Sequence, residues 1–315
     1  MESFINRLLA KIRLRQSHVV VGLDPVHEFL PETIIKNRKD TLERIGSAII
    51  DFNQAIIDAI YDLVPAIKPQ IAFYERYGIE GIKAFVETVK YAKKKGLIII
   101  EDAKRNDIGS TANAYSDGHI GKVSIKGEDV PVFDVDAITV TPFLGLDGIL
   151  PFIKDSEKYS KGIFILVKTS NPSASDLQDL IIQTASGQVK LYEILAQFVN
   201  KWGSNLIDDS GYSAVGAVVG ATYPNDAKIL RKLMPHNYFL VPGFGAQGGG
   251  VNDIINSFNE DGYGALISAS RSINYAFNDS TKYGDSDFDK AARETVKNMN
   301  NEINNALSIK GILNW

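Results

Sequence analysis

The chain has 315 residues, 44% hydrophobic and 23% charged, enough to bury a substantial core as one large α/β barrel or as two average domains. Its net charge of -4 supplies no global basic field for non-specific nucleic-acid binding, so a small anionic ligand needs a local basic site. The absence of cysteine excludes disulfides, thiolate metal sites and a cysteine nucleophile, and fits a reducing, cytoplasmic setting.

Residues 1–17 place Arg7, Lys11, Arg13 and Arg15 among Phe4, Ile5, Leu8, Leu9 and Ile12. A transit peptide shares that pattern, but the apolar run Val19-Val20-Val21 follows at once and leaves no cleavage region, so an amphipathic helix is expected. No apolar run approaches the roughly 20 residues of a membrane-spanning helix, and a soluble protein is expected.

Short runs rich in Val, Ile and Ala, each closed by a polar or glycine cluster, recur at 18–24, 66–70, 97–102, 137–141, 163–170, 214–222, 238–245 and 264–271. Their near-continuous hydrophobicity is that of parallel strands covered on both faces. Helical stripes lie between them: Ile45-Ile49-Phe52-Ile56-Ile60, Ile82-Phe85-Val89-Ala92, and Leu191-Leu195-Phe198. The segment 288–307 is rich in Asn yet keeps Ala292, Val296, Met299, Ile303 and Leu307 at helical spacing. Strand and helix therefore alternate throughout, which predicts a single-domain (β/α)8 TIM barrel over 1–315 with an extra N-terminal helix. Two connections are longer than this fold needs, 117–136 after the third strand and 172–189 after the fifth, and both are expected at the C-terminal rim.

The third strand ends in Glu101-Asp102-Ala103-Lys104-Arg105-Asn106-Asp107, and alternation turns Asp102 and Lys104 to one side, toward the barrel mouth. Each charge costs several kcal/mol, roughly, to desolvate unless it is paired, and a structural salt bridge would satisfy an isolated pair. Here Lys68 closes the second strand, which makes an alternating Lys-Asp-Lys array with Asp107 as a fourth candidate. Asp24 ends the first strand before Pro25, either as a third strand's contribution to the same rim or as a turn residue. After the seventh strand comes a glycine-rich run from Pro242 through Gln247, Gly248 and Gly249, and Ser270-Arg271 follows the eighth. Loops at these two places form the usual phosphate site of a barrel enzyme. Backbone N–H groups, a helix starting near Val251 and the Arg271 guanidinium are the expected donors. Gly243, Gly245 and Gly248 also fit GxGxxG, but so late in the chain that a dinucleotide fold is not expected.

These residues resemble the orotidine 5'-phosphate decarboxylase family, whose DxKxxD signature is matched by Asp102-Ala103-Lys104-Arg105-Asn106-Asp107. The resemblance runs through GLDP at 22–25, KPQ at 68–70, TSNP at 169–172, VPGFGAQGG at 241–249 and SASRSI at 268–273, and its GAQGG form is like the longer bacterial type. It implies a homodimeric (β/α)8 barrel that converts orotidine 5'-phosphate to UMP and carbon dioxide in pyrimidine synthesis, with neither metal nor organic cofactor. It also implies that Asp102 faces the substrate carboxylate, Lys104 donates the proton to C6, and Lys68 and Asp107 complete the charge network. Asp107 and Thr111 would reach in from the partner subunit. Asp24 and Lys68 would contact ribose, Ser170 the pyrimidine, Gln247 both the phosphate and the ring region, and Arg271 the phosphate with backbone N–H groups around Gly249, while Pro242, Gly248 and Ser270 complete the substrate-binding set. An ammonium between carboxylates is favoured in its charged form, and a fixed cation 4 Å from a nascent carbanion is worth on the order of 4 kcal/mol at an effective dielectric of 20.

Two other functions compete. A magnesium-dependent phosphosugar lyase or decarboxylase of the same superfamily would carry an acidic ligand where this chain has Lys68, and strand parity turns the nearest spare acid, Glu101, away. A non-catalytic phosphate-binding barrel would need Arg271 but not the Lys-Asp-Lys array. His18, His27, His119 and His236 lack metal-ligand spacing and are expected to be structural or on the surface. Lys93-Lys94-Lys95 reads as a solvated helix end, and Tyr74, Trp202 and Trp315 as packing residues.

Overall fold

The computed structural model describes residues 2–35, 41–185, 187–244 and 250–315. Eight parallel strands, β1 (Val19–Leu23), β2 (Ala66–Pro69), β3 (Ile98–Arg105), β4 (Ala137–Val140), β5 (Gly162–Lys168), β6 (Ser213–Val219), β7 (Asn237–Pro242) and β8 (Ala265–Ala269), form a closed barrel in sequential order. Pairing of Val19 with Ile267 joins the first strand to the last. Each predicted run overlaps one of these strands, with bounds that differ by a few residues at most, because a strand covered on both faces is written as a near-continuous apolar run.

Outside the barrel pack α2 (Leu42–Ile60), α3 (Gly78–Lys94), α4 (Gly109–His119), α5 (Leu146–Tyr159), α6 (Leu191–Gly203), α7 (Pro224–Leu233) and α8 (Phe288–Lys310), after the N-terminal α1 (Phe4–Arg15). Odd and even strand positions divide the core. Val19, Val21, Ile67, Ile99 and Ile138 face the helices, while Val20, Ala66, Ile98, Ile100 and Ala137 face the axis. The stripe expected on α8 is buried in full. On α6 the buried stripe is Tyr192, Ala196 and Val199, not Leu191, Leu195 and Phe198. Both sets have helical spacing; Leu191 and Leu195 are partly buried beside the first set, and Phe198 stays exposed with its ring stacked on Trp202 at 5.4 Å.

Phe4, Ile5, Leu8, Leu9 and Ile12 of α1 are buried in the same cluster as the axial residues Val20, Ala66 and Ile98, while Leu14 stays on the exposed side. The helix therefore plugs the N-terminal end of the barrel, each buried side chain contributing roughly 1.5–3 kcal/mol. Ser3 caps its start by accepting the Asn6 N–H at 3.1 Å. A Cβ at Gly162 would come within 2.4 Å of the Phe4 ring, so only glycine admits the plug at the start of β5.

The two insertions lie at opposite ends. The first follows β3 as expected, but α4 carries the chain back before it begins. The short hairpin of Val123–Ile125 and Glu128–Val130 consequently sits at the N-terminal ends of the strands, where Asp134 pairs with Lys93 and Lys161. Only the second insertion, with its hairpin Ile181–Thr184 and Gly187–Lys190, is on the C-terminal rim. Among the described residues no helix is long and apolar enough to cross a membrane.

Candidate active site

The mouth of the barrel is charged where β2 and β3 end. Register places Gly22 beside Lys68 and Gln70 beside Asp102, so the inward sides of three strands converge. Lys68 Nζ donates to Asp102 Oδ2 at 2.9 Å, and Lys104 Nζ donates to Asp102 Oδ1 at 2.6 Å. The predicted Lys-Asp-Lys array is thus a contact. Gln70 Nε2 adds a third donor at 3.0 Å, and the Thr139 hydroxyl of β4 a fourth at 2.9 Å.

Simple alternation does not bring Lys104 to this place. Glu101 pairs with Ile138 but Arg105 with Val140, so β3 uses two more residues than β4 over the same stretch. Within that bulge Lys104 has φ +48°, a left-handed conformation that costs an L-residue roughly 1–2 kcal/mol. Its side chain is 44% exposed, whereas those of Lys68 and Asp102 are 7% and 13% exposed. Behind the strand, Glu101 points outward and is fully buried against His119 of α4, Oε2 to Nδ1 2.7 Å. His119 therefore has a structural partner. Arg105 bridges from the same side to Glu75 at 2.7 Å.

Burial opposes ionisation of Asp102, but the ammonium groups of Lys68 and Lys104 outweigh it and hold the carboxyl well below the usual carboxylate range. Burial likewise works against the Lys68 ammonium, and Asp102 and Asp24 reverse it, raising Lys68 above the ordinary lysine value. Asp24 is half-buried, and its Oδ1 has no hydrogen-bond partner among the described residues.

The remaining predicted positions divide into three groups. Ser170 and Ser270 lie at the rim on glycines of neighbouring strands. A Cβ at Gly220 would be 3.0 Å from the Ser170 Cβ, and one at Gly22 would be 1.9 Å from the Ser270 Oγ. Pro242 ends β7, and Arg271 is exposed just past β8, lining a cleft of about 410 Å³ with Phe29 and Tyr275. Gln247, Gly248 and Gly249, with the rest of the glycine-rich loop from Gly245, fall outside the described residues. The helix expected near Val251 is a single turn, Val251–Ile254, too short for a substantial dipole.

Asp107 and Thr111 stand apart from the array in their own chain. The Asp107 carboxylate accepts the Ile108 N–H at 2.8 Å, and Thr111 is exposed in the first turn of α4. Around them the surface is apolar: Ile108 and Phe143 are 52% and 75% exposed, with Leu144 and Leu146 nearby in chain. The Asp107 carbonyl would lie 2.8 Å from a Cβ on Gly148, which joins this segment to the start of α5.

Sequence reasoning did not single out Gln70 as a partner of Asp102, although KPQ contains it, nor Thr139. It also missed Lys168, a fully buried cation at the end of β5. Lys168 pairs with Asp179 at 2.7 Å, lies 3.9 Å from Asp226, and sits over the Tyr223 ring at 4.6 Å. A lysine closing an apolar strand was the available signal.

A (β/α)8 barrel with an inward Lys-Asp-Lys array at its C-terminal rim is the architecture of an enzyme. The sequence matches the family described as Orotidine 5'-phosphate decarboxylase / HUMPS family over residues 17–284. It is 39% identical over 312 residues to the orotidine 5'-phosphate decarboxylase of Caldicellulosiruptor bescii, covering 98% of this chain and 100% of that one. It is 40% identical over 310 residues to that of Rhodopirellula baltica, covering 96% and 99%. The solved structure of Leishmania donovani OMP decarboxylase superposes with a TM-score of 0.74 at 29% identity, covering 97% and 99%. The chain belongs to the orotidine 5'-phosphate decarboxylase / HUMPS family and is an enzyme of the carboxy-lyase class.

Proposed function

We propose that the protein decarboxylates orotidine 5'-phosphate to UMP and carbon dioxide, with Lys104 as the proton donor to C6. The observation that carries this reading is the pair of contacts, 2.9 and 2.6 Å, by which Lys68 and Lys104 share the Asp102 carboxylate. In the reaction the bond from C6 to the carboxylate breaks, carbon dioxide leaves, and the electron pair stays on C6. A proton from the Lys104 ammonium forms the new C6–H bond, and the neutral amine regains its proton from water.

A carbanion on an sp2 carbon needs a preorganised positive charge rather than a base, and a cation held by a buried carboxylate is such a charge. Asp102 would also oppose the substrate carboxylate, a repulsion that ends as carbon dioxide departs. We assign Asp24 and Lys68 to the ribose hydroxyls; the Asp24 Oδ1, without a hydrogen-bond partner among the described residues, supports this, because a hydroxyl there would satisfy a buried acceptor. Ser170 is assigned to the pyrimidine, Gln247 to both the phosphate and the ring region, and Arg271 with the backbone around Gly249 to the phosphate, while Pro242, Gly248 and Ser270 complete the substrate-binding set. Asp107 and Thr111 would act in the site of a second copy, an arrangement favoured by the apolar surface at Ile108 and Phe143 around residues that do not reach the array of their own chain. We place the enzyme in the cytoplasm and expect it to need neither metal nor organic cofactor. A cation at Lys68, where the magnesium-dependent relatives need an acid, supports that expectation.

The test is an absorbance assay of orotidine 5'-phosphate with excess chelator, run beside Lys104→Ala. Turnover is expected to ignore the chelator and to fall by at least about three orders of magnitude in the variant, roughly 4 kcal/mol of transition-state stabilisation. A requirement for magnesium, or turnover of a hexulose phosphate alone, would replace this reading with the phosphosugar one.

A further inference from the structure

We infer that Thr139 is a positioning residue for the decarboxylation, one hydroxyl that sets both the β3 bulge and the Asp102 carboxylate in the arrangement Lys104 requires. The inference rests on the function proposed above. Thr139 is buried, and its Oγ1 makes three hydrogen bonds: it accepts the N–H groups of Ala103 and Lys104, each at 3.0 Å, and donates to Asp102 Oδ1 at 2.9 Å.

A hydroxyl has one proton and two lone pairs. The two N–H groups occupy both lone pairs, so the proton can only be given to Asp102, and the carboxylate must accept it. One atom thus performs two tasks. It satisfies the two backbone donors that leave the ladder where β3 bulges, and it holds Lys104 at φ +48°, a conformation that persists only where its surroundings determine it. It also fixes Oδ1, the atom that receives the Lys104 ammonium. Thr139 is the polar member of an otherwise apolar strand, Ala137-Ile138-Thr139-Val140, at the position between the two registered pairs that bracket the bulge. Valine would fill the same volume and suit a strand at least as well, so the hydroxyl is there for its hydrogen bonds.

Thr139→Val deletes the hydroxyl at nearly constant shape, and Thr139→Ser keeps it. Saturating turnover of orotidine 5'-phosphate, KM, affinity for UMP and thermal stability are measured for both beside the wild type. The Val variant is expected to lose about 30- to 100-fold in kcat, the scale of an ångström-sized misplacement, with KM and UMP affinity changed less than about 3-fold. The Ser variant is expected to stay within about 3-fold of wild type. A role confined to folding would lower the melting temperature and leave kcat alone, and that outcome overturns the inference. So does a Ser variant as impaired as the Val variant, or a loss confined to KM. If Thr139→Val does not fold, the same ratio is read from Thr139→Ala; failure of both to fold, with Ser intact, also overturns it. A wild type that turns over the substrate beside a fully active Val variant sinks this inference alone, whereas a wild type with no turnover sinks the proposed function and this inference with it.

Discussion

Asp102 and His18 are both buried, and the chain treats them oppositely. The Asp102 carboxylate accepts from Lys68, Gln70, Lys104 and Thr139, which fills its four acceptor directions. Protonation would have to displace a donor. Because its folded-state pKa is depressed, the stability it contributes is present above the unfolded value, about 3.9, and is lost as pH falls toward the folded value. His18 has no such partners. Its ring packs 4.9 Å from Phe258 and 5.0 Å from Trp315, and among the described residues neither nitrogen has a hydrogen-bond partner. Burial, only partly offset by the nearby Ala265 backbone, pushes it down from 6.5 to about 3. The unfolded chain therefore takes up a proton that the native one refuses, and stability falls as pH drops from 6.5 toward 3, by up to about 1.4 kcal/mol per pH unit. In an acid titration followed by circular dichroism, His18→Leu is expected to unfold at a pH lower by at least about half a unit, with activity at neutral pH retained. An unchanged acid midpoint would show that other groups set the acid limit.

At the scale of elements, local pattern and packing are separable. Amphipathic spacing was enough for α1, α2, α3 and α8, since one apolar stripe on each allowed one orientation. On α6 two stripes competed, and contact with Lys168, Asp226 and the second insertion favours the one containing Tyr192, whose hydroxyl donates to Asp226 at 3.0 Å. The same network fastens the insertion to the barrel. Lys168 and Lys190 both reach Asp179, and the segment begins two residues after Ser170. Lys168→Met is expected to cost about 2 kcal/mol in chemical denaturation, less than a fully buried pair because Asp179 is partly exposed, and to speed proteolytic cleavage within 172–189 several-fold. A cleavage rate equal to that of wild type would mean that the hairpin is held by other contacts.

For the whole molecule, closure of β8 on β1 brings residues more than two hundred positions apart to one rim, Gly22 beneath Ser270 being the tightest case. The proposed dimer carries this further, since each site would borrow Asp107 and Thr111. That arrangement makes a specific prediction for mixtures of inactive variants. Lys104→Ala and Asp107→Ala homodimers should each be impaired, but after subunit exchange a mixed dimer holds one intact site. Statistical mixing of a two-fold dimer then restores about one quarter of wild-type activity. No recovery in a mixture shown by sedimentation to have exchanged would place Asp107 in the site of its own chain.

The barrel, its strand order and the meeting of Lys68 with Asp102 were legible in the chain alone, because a two-residue period and sequential parallel pairing repeat locally and leave few ways to close a sheet. The bulge that turns Lys104, the donors supplied by Gln70 and Thr139, the anchorage of Lys168 and the end of the barrel to which 117–136 is delivered depended on tertiary structure. Each of these is set by where segments distant in sequence come to rest against one another, and a slip of register or the travel of one helix leaves no periodic mark in the residues that undergo it.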